Sequence, residues 1–274
     1  AEIYLNNGDD TASLGDGGGW AQGGDGNDTL TGGIGSDNLY SGSGNDTLDG
    51  GAGNDTLDGG AGDDILDGGD GADTNRGGAG NDILYASLGA DIEDGGSGTD
   101  TYIIRETLSY IPVINLNLET SYLQGTTPDY SNVVSNIENV TMLGESAVEL
   151  IGSSTNNTLI GGSGNDTLDG GAGNDTLEGG DGNDTYKYAY DGSDTVSDTS
   201  GTDTIYLTTR DSSGNGYWGD GGYFSGNDLV ISSTSTSLDK LTIKDAKLSS
   251  SGIETITYHA ADNKWADNTL KIAL

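Results

Sequence analysis

The residues best placed to do chemistry in this sequence are aspartates that return at a fixed interval. Asp28, Asp37, Asp46, Asp55, Asp64, Asp73, Asp82, Asp91 and Asp100 stand nine residues apart, and Asp10 stands eighteen before Asp28. A second set, Asp166, Asp175 and Asp184, keeps the interval and continues through Asp194 and Asp203 after a slip of one residue. Carboxylates have few partners for covalent chemistry here. With no Cys there is no thiolate site or disulfide framework, and with one His there is neither an HExxH zinc helix nor a Ser/His/Asp triad beyond what His259 could serve. His259 is read as a structural residue on a strand, and no catalytic residue is assigned. Rows of carboxylates with carbonyl neighbours suit a different task, the binding of hard cations.

The elements that must position these acids are short. From Gly23 to Ile103 the chain divides without a gap into nonapeptides such as GGDGNDTLT, SGSGNDTLD, GGAGNDTLD and GGAGNDILY, and the frame extends back through Leu14 and Leu5. A second block starts at Gly152 with GSSTNNTLI, GGSGNDTLD, GGAGNDTLE and GGDGNDTYK. The shared pattern is GGxGxDxUx, with U apolar. Two or three glycines in six residues cannot hold a helix and readily take the positive φ of tight turns, whereas xUx supplies a three-residue strand with one inward apolar side chain. Each nonapeptide is therefore a turn plus a strand.

This pattern resembles the repeats-in-toxin (RTX) calcium-binding nonapeptide repeat over roughly two-thirds of the chain. The resemblance implies a right-handed parallel β-roll, calcium as cofactor, and the C-terminal region of a bacterial exoprotein exported by type I secretion machinery. The physical reading agrees on the fold. If successive strands alternate between two facing sheets, residues eighteen apart stack in parallel ladders. One column then holds Asp10, Asp28, Asp46, Asp64, Asp82 and Asp100, and the other holds Gly19, Asp37, Asp55, Asp73 and Asp91. Neighbours in a column sit about 4.7–4.9 Å apart. Two carboxylates at that distance repel by roughly 3–4 kcal/mol at an effective dielectric near 20. A calcium ion, bonding oxygen at about 2.3–2.6 Å, spans the same gap and turns repulsion into attraction. A solvated turn would explain single aspartates but not their constant register. Gly19 and Asn157 replace an Asp and should weaken their sites, while Asn75 and Glu93 fall on apolar positions and should mark where one sheet deteriorates.

Composition supports folding that depends on metal. The 274 residues carry 9 Lys+Arg against 45 Asp+Glu, a formal charge of −36, with 50 Gly and only 31% apolar residues. The acidic surplus excludes a nucleic-acid surface, which would be basic, and 2 Pro exclude collagen. Ordering nine residues costs on the order of 9–18 kcal/mol of backbone entropy, whereas one buried Leu returns only about 1.5–3 kcal/mol. The Leu ladders cannot hold the roll alone, and metal binding must be part of folding. On the order of eight ions are expected in the first block and three or four in the second. The Asn-Asp-Thr sequons, as at Asn45 and Asn165, are by-products of the repeat.

The expected organisation is all-β: a first roll over 1–103, a β connector over 104–151, a second roll over 152–206, and a β cap over 207–274. No stretch approaches the roughly 18 apolar residues of a membrane helix. The cluster Tyr217, Trp218, Tyr223 and Phe224 and the strands that end near Trp265 read as a solenoid cap. By resemblance, Asp267 to Leu274 looks like an uncleaved export signal. The expected role is a secreted or cell-surface calcium-binding module, not itself an enzyme, with any catalytic domain preceding Ala1. The alternative is a glycan- or peptide-binding module of an adhesin or a polysaccharide-acting enzyme.

Overall fold

The computed structural model describes residues 1–87, 89–105, 111–116, 120–124, 133–188, 192–207, 222–225, 228–232, 240–243, 253–258 and 268–271. The chain forms two compact units, Ala1–Glu106 with Leu118–Thr141, and Thr107–Asn117 with Met142–Leu274. Both are all-β.

The first unit begins with twelve strands: β1 (Glu2–Asn7), β2 (Thr11–Gly15), β3 (Trp20–Asp25), β4 (Thr29–Ile34), β5 (Asn38–Ser43), β6 (Thr47–Ala52), β7 (Thr56–Ala61), β8 (Ile65–Asp67), β9 (Thr74–Ala79), β10 (Ile83–Tyr85), β11 (Ile92–Ser97) and β12 (Thr101–Ile104). Odd strands pair with odd and even with even, all in parallel. The register is eighteen residues throughout: Leu39 stands beside Leu57 and Leu30 beside Leu48. This is a parallel β-roll with two nonapeptides per coil. Leu30, Leu48, Leu66, Leu84 and Tyr102 fill the inner face of one sheet, and Ala21, Leu39 and Leu57 that of the other, all essentially inaccessible.

The same inner column then carries Asn75 and Glu93, and the sheet does not stop there. Both side chains are fully buried, and Asn75 Nδ2 donates to Glu93 Oε1 at 3.2 Å. Ile92 pairs in register with Val133, so the sheet continues from β11 into Val133–Ser135 after an insertion. Further strands of the connector region are Ile111–Asn115 (β13), Thr120–Gln124 (β14), Val133–Ser135 (β15) and Asn139–Met142 (β16).

The second unit repeats the design with β17 (Glu149–Ile151), β18 (Thr158–Gly162), β19 (Thr167–Asp169), β20 (Thr176–Gly180), β21 (Thr185–Tyr188), β22 (Ser193–Ser197) and β23 (Asp203–Leu207). Leu150 pairs with Leu168 and Leu168 with Tyr186, whereas Tyr186 pairs with Ile205 nineteen residues on, which places the one-residue slip. The last strands are β24 (Gly222–Ser225), β25 (Asp228–Ser232), β26 (Lys240–Ile243), β27 (Ile253–Tyr258) and β28 (Asn268–Lys271). Here pairing changes: β26 lies parallel to β22 but antiparallel to β25, and β27 lies parallel to β23 but antiparallel to β28.

Glycine makes the coil this tight. At Gly60 φ is +100°, and a Cβ would fall 2.2 Å from the Gly42 carbonyl oxygen of the neighbouring coil. Gly17 has neither constraint, since nothing lies within 4 Å of its would-be Cβ. Gly60→Ala should therefore lower stability by at least roughly 1–2 kcal/mol from the left-handed backbone alone, while Gly17→Ala leaves the thermal midpoint within a degree or so. Paired thermal melts in calcium-containing buffer check this, and equal midpoints would contradict the packing described.

Candidate metal centre

The coil geometry turns the sixth-position aspartates inward and joins them along each column. The main-chain N–H of each residue at this position donates to Oδ1 of the aspartate one coil on. Asp10 donates to Asp28, Asp28 to Asp46, Asp46 to Asp64, Asp64 to Asp82 and Asp82 to Asp100, at 2.6–2.8 Å. On the other side Gly19 donates to Asp37, Asp37 to Asp55, Asp55 to Asp73 and Asp73 to Asp91, at 2.6–3.0 Å. The second unit has Asp166 to Asp184 to Asp203 and Asn157 to Asp175 to Asp194, at 2.8–3.0 Å. Asp10 is half-buried, and the other fourteen sequence-nominated aspartates are almost wholly inaccessible.

The second oxygen is the informative atom. Oδ2 of Asp28, Asp37, Asp46, Asp55, Asp64, Asp73, Asp82, Asp100, Asp166 and Asp184 is buried without a hydrogen-bond partner. Burying such an atom unsatisfied is costly, and for an ionised carboxylate more so. The space around it is kept clear by the first glycine of the repeat. A Cβ on Gly50 would meet Asp55 Oδ2 and the Gly68 carbonyl oxygen at 2.6 Å each, and one on Gly77 would meet Asp82 Oδ2 at 2.3 Å and the Gly95 carbonyl oxygen at 2.6 Å. Carboxylate and carbonyl oxygens thus border one side-chain-free space. This donor set, all oxygen and anionic, fits a hard divalent cation of calcium's kind. The Asp91 Oδ2 differs, since it accepts from the Ser87 hydroxyl at 3.1 Å.

Electrostatics reflect the same burial. Desolvation pushes Asp64 and Asp166 up to about 7 and Asp73 and Asp100 up to about 6; the amide donated to each opposes the rise, and column neighbours add to it. Asp28, Asp55, Asp82 and Asp184 are raised for the same first reason. Glu93 is also raised by desolvation.

The two departures from the motif keep the main-chain link but add no carboxylate. The Gly19 amide still donates to Asp37, and Asn157 directs its own Oδ1 to the Ser153 amide at 2.7 Å. Sequence reasoning missed three participants. Glu138 lies thirty-eight residues after Asp100 and outside the nonapeptide frame, yet its Oε2 accepts the Asp100 amide at 2.8 Å. Val148 starts a column, its amide donating to Asp166 Oδ1 at 2.8 Å. Asp198, where the repeat has glycine, comes within reach of Asp184 and Asp203. Only coil register reveals these. Tyr217, Trp218, His259, Trp265 and Asp267 lie outside the described residues, as do the side chains of Tyr223 and Phe224 and residues 272–274 of the proposed export segment.

Comparison with known proteins names the class. The family profile described as the RTX calcium-binding nonapeptide repeat (4 copies) matches residues 13–48, 40–74, 76–102, 151–186 and 188–207, more than half of the chain. The chain belongs to this family, whose repeats form calcium-binding β-rolls. Among solved structures, the extracellular lipase LipA from Serratia marcescens is similar at 18% identity, over 78% of this chain and 40% of that one, with a TM-score of 0.26. The chain thus matches less than half of that lipase. No curated protein matches.

An aspartic acid whose folded pKa lies above its unfolded value binds more protons folded than unfolded. Its protonation therefore stabilises the fold as pH falls from about 7 toward 4, and that contribution is lost as pH rises through the folded value. With chelator present, folded content by circular dichroism should increase from pH 7.5 to pH 5. Cation ligands must be deprotonated, so in millimolar calcium the trend should reverse. A chelated protein whose folded content falls on acidification would contradict the assignment of raised values.

Proposed function

We propose that the chain is a calcium-binding β-roll module that folds when it meets calcium after type I secretion, as the C-terminal part of a larger extracellular protein. The observation that carries this reading is the row of buried, unpartnered Oδ2 atoms on Asp28, Asp46, Asp64, Asp82 and Asp100 and on Asp37, Asp55 and Asp73, with Asp166 and Asp184 in the second unit. The ion supplies positive charge between stacked acidic turns. The chain's own residues do the rest: glycines open the turn carbonyls, main-chain amides hold Oδ1 and orient the carboxylate, and the leucines close the interior. We assign the fifteen sixth-position aspartates as ligands, with the rolls over 1–103 and 152–206, and the antiparallel strands after Leu207 as the cap.

Low cytosolic calcium would leave the columns repulsive and the chain loose enough to export. Outside, millimolar calcium would fill sites of about 10⁻⁴–10⁻³ M affinity. No catalytic role is assigned to this chain.

A calcium titration followed by far-UV circular dichroism and calorimetry tests the proposal. The expected outcome is a cooperative coil-to-strand transition near millimolar calcium with several ions bound per chain. Asp82→Asn, in mid-column, should shift that transition to higher calcium. Equal strand content in chelator and in calcium would sink the reading.

A further inference from the structure

Two departures from the repeat meet in space between successive coils of the second unit. Position eight, normally Leu, is Tyr186, and the first position, normally Gly, is Asp198. The register Glu178 to Ser197 sets Asp198 beside Gly179 of the preceding coil. Tyr186 is fully buried. Its hydroxyl accepts the Gly179 amide at 2.7 Å and donates to Asp198 Oδ2. Asp198 Oδ1 accepts the Ser200 amide at 3.1 Å. Its carboxylate is thereby held on both oxygens and turned toward the column aspartates. One oxygen from each of Asp184, Asp198 and Asp203 lies within 4.8 Å of the others.

Three carboxylates this close constitute a different object from the motif columns, in which each coil contributes one. Asp184 is 1% exposed, and its Oδ2 is buried with no N–H or hydroxyl donor, its polar neighbour being the Asp198 carboxyl group. A Cβ on Gly179 would meet that same oxygen at 2.3 Å and the Tyr186 hydroxyl at 2.4 Å, so the unpartnered atom faces the Tyr186–Asp198 pair. Around one calcium ion, with bonds of about 2.3–2.6 Å, oxygens stand up to about 5 Å apart, and the three carboxylates meet this limit. Asp198 is raised to about 7, chiefly by desolvation, with the Tyr186 hydrogen bond opposing the rise and Asp203 and Asp184 adding to it.

We propose that Asp184, Asp198 and Asp203 form a tri-carboxylate cation site, with Asp198 as a ligand the nonapeptide motif does not supply and Tyr186 as the residue that positions it. The site takes a divalent, oxygen-seeking ion, or a trivalent lanthanide in its place. It rests on the calcium-binding reading of the roll. More anionic ligands tighten such sites, so it should fill before the motif columns.

Terbium supplies a probe, because the Tyr186 ring abuts the site and can sensitise its emission. On the full chain the expected results are tyrosine-sensitised emission at the lowest terbium additions, displaced by calcium. Asp198→Asn, which keeps the side chain's shape and one of its two acceptor oxygens, and Asp198→Gly, which restores the repeat residue, should each abolish this early phase. Both should leave the main strand transition in place and move one calcium ion, counted by calorimetry, out of the early high-affinity phase and into that transition, since Asp184 and Asp203 remain motif ligands. Tyr186→Phe should dim the emission while the ion count stays. Two Asp198 variants with an unchanged early calcium phase and unchanged early emission would overturn the site, reducing Asp198 to an acceptor for Tyr186. So would variants that lose the whole transition, since Asp198 would then be a folding residue. A wild-type chain that binds no calcium would instead overturn the parent reading, a result visible before any variant is made.

Discussion

Along each column of this protein a single carboxylate serves two coils at once. Its Oδ1 takes the amide of the residue one coil before, as in Asp46 with Asp28 at 2.6 Å, which ties neighbouring coils together where the chain turns. At Asp46 and Asp64, among others, the Oδ2 is left in the interior without a hydrogen-bond donor. The first bond explains why an acid can stand at this position in coil after coil. The second oxygen explains why the arrangement is incomplete without positive charge, since buried unpaired carboxylates are among the costliest groups a fold can contain.

Glycine and leucine are arranged around that constraint. The turn glycines adopt backbone that side chains would strain, and they also stand where a Cβ would strike the carboxylate or the carbonyl of the next coil, as at Gly50 and Gly77. The apolar core is one side chain wide on each sheet, Leu39 and Leu57 facing the column of Leu30, Leu48 and Leu66. Such a core cannot carry an acidic chain by itself. The outer faces add modest support: Arg76 sits between Asp58 and Asp94 at 3.6 and 3.8 Å, and Arg105 pairs with Asp67 beneath the Tyr85 ring.

Departures from the repeat are absorbed in pairs. Asn75 and Glu93 occupy consecutive coils of one apolar column, and the amide of one satisfies one oxygen of the other, so the polar substitution does not end the sheet. Tyr186 and Asp198 do the same between the apolar and first positions of successive coils. Glu138, arriving from an insertion, takes the acceptor role that the next aspartate of its column would have filled. In each case a residue that breaks the local rule meets a partner one coil away.

The nonapeptide by itself determined the parallel roll, the eighteen-residue coil, the leucine columns and the identity of the column aspartates, because each follows from a period that any two adjacent repeats display. It also showed where that period fails, at Gly19, Asn75, Glu93 and Asn157. Tertiary structure alone decided how the failures resolve. Glu138 and Val148 join columns across insertions of variable length, and Asp198 reaches Asp184 only because a one-residue slip and a buried tyrosine hydroxyl place it there. Stacking translates a fixed spacing into contact, so regular positions are readable from the chain. Irregular ones depend on how an insertion closes, and that is set by three-dimensional register, which no local spacing encodes.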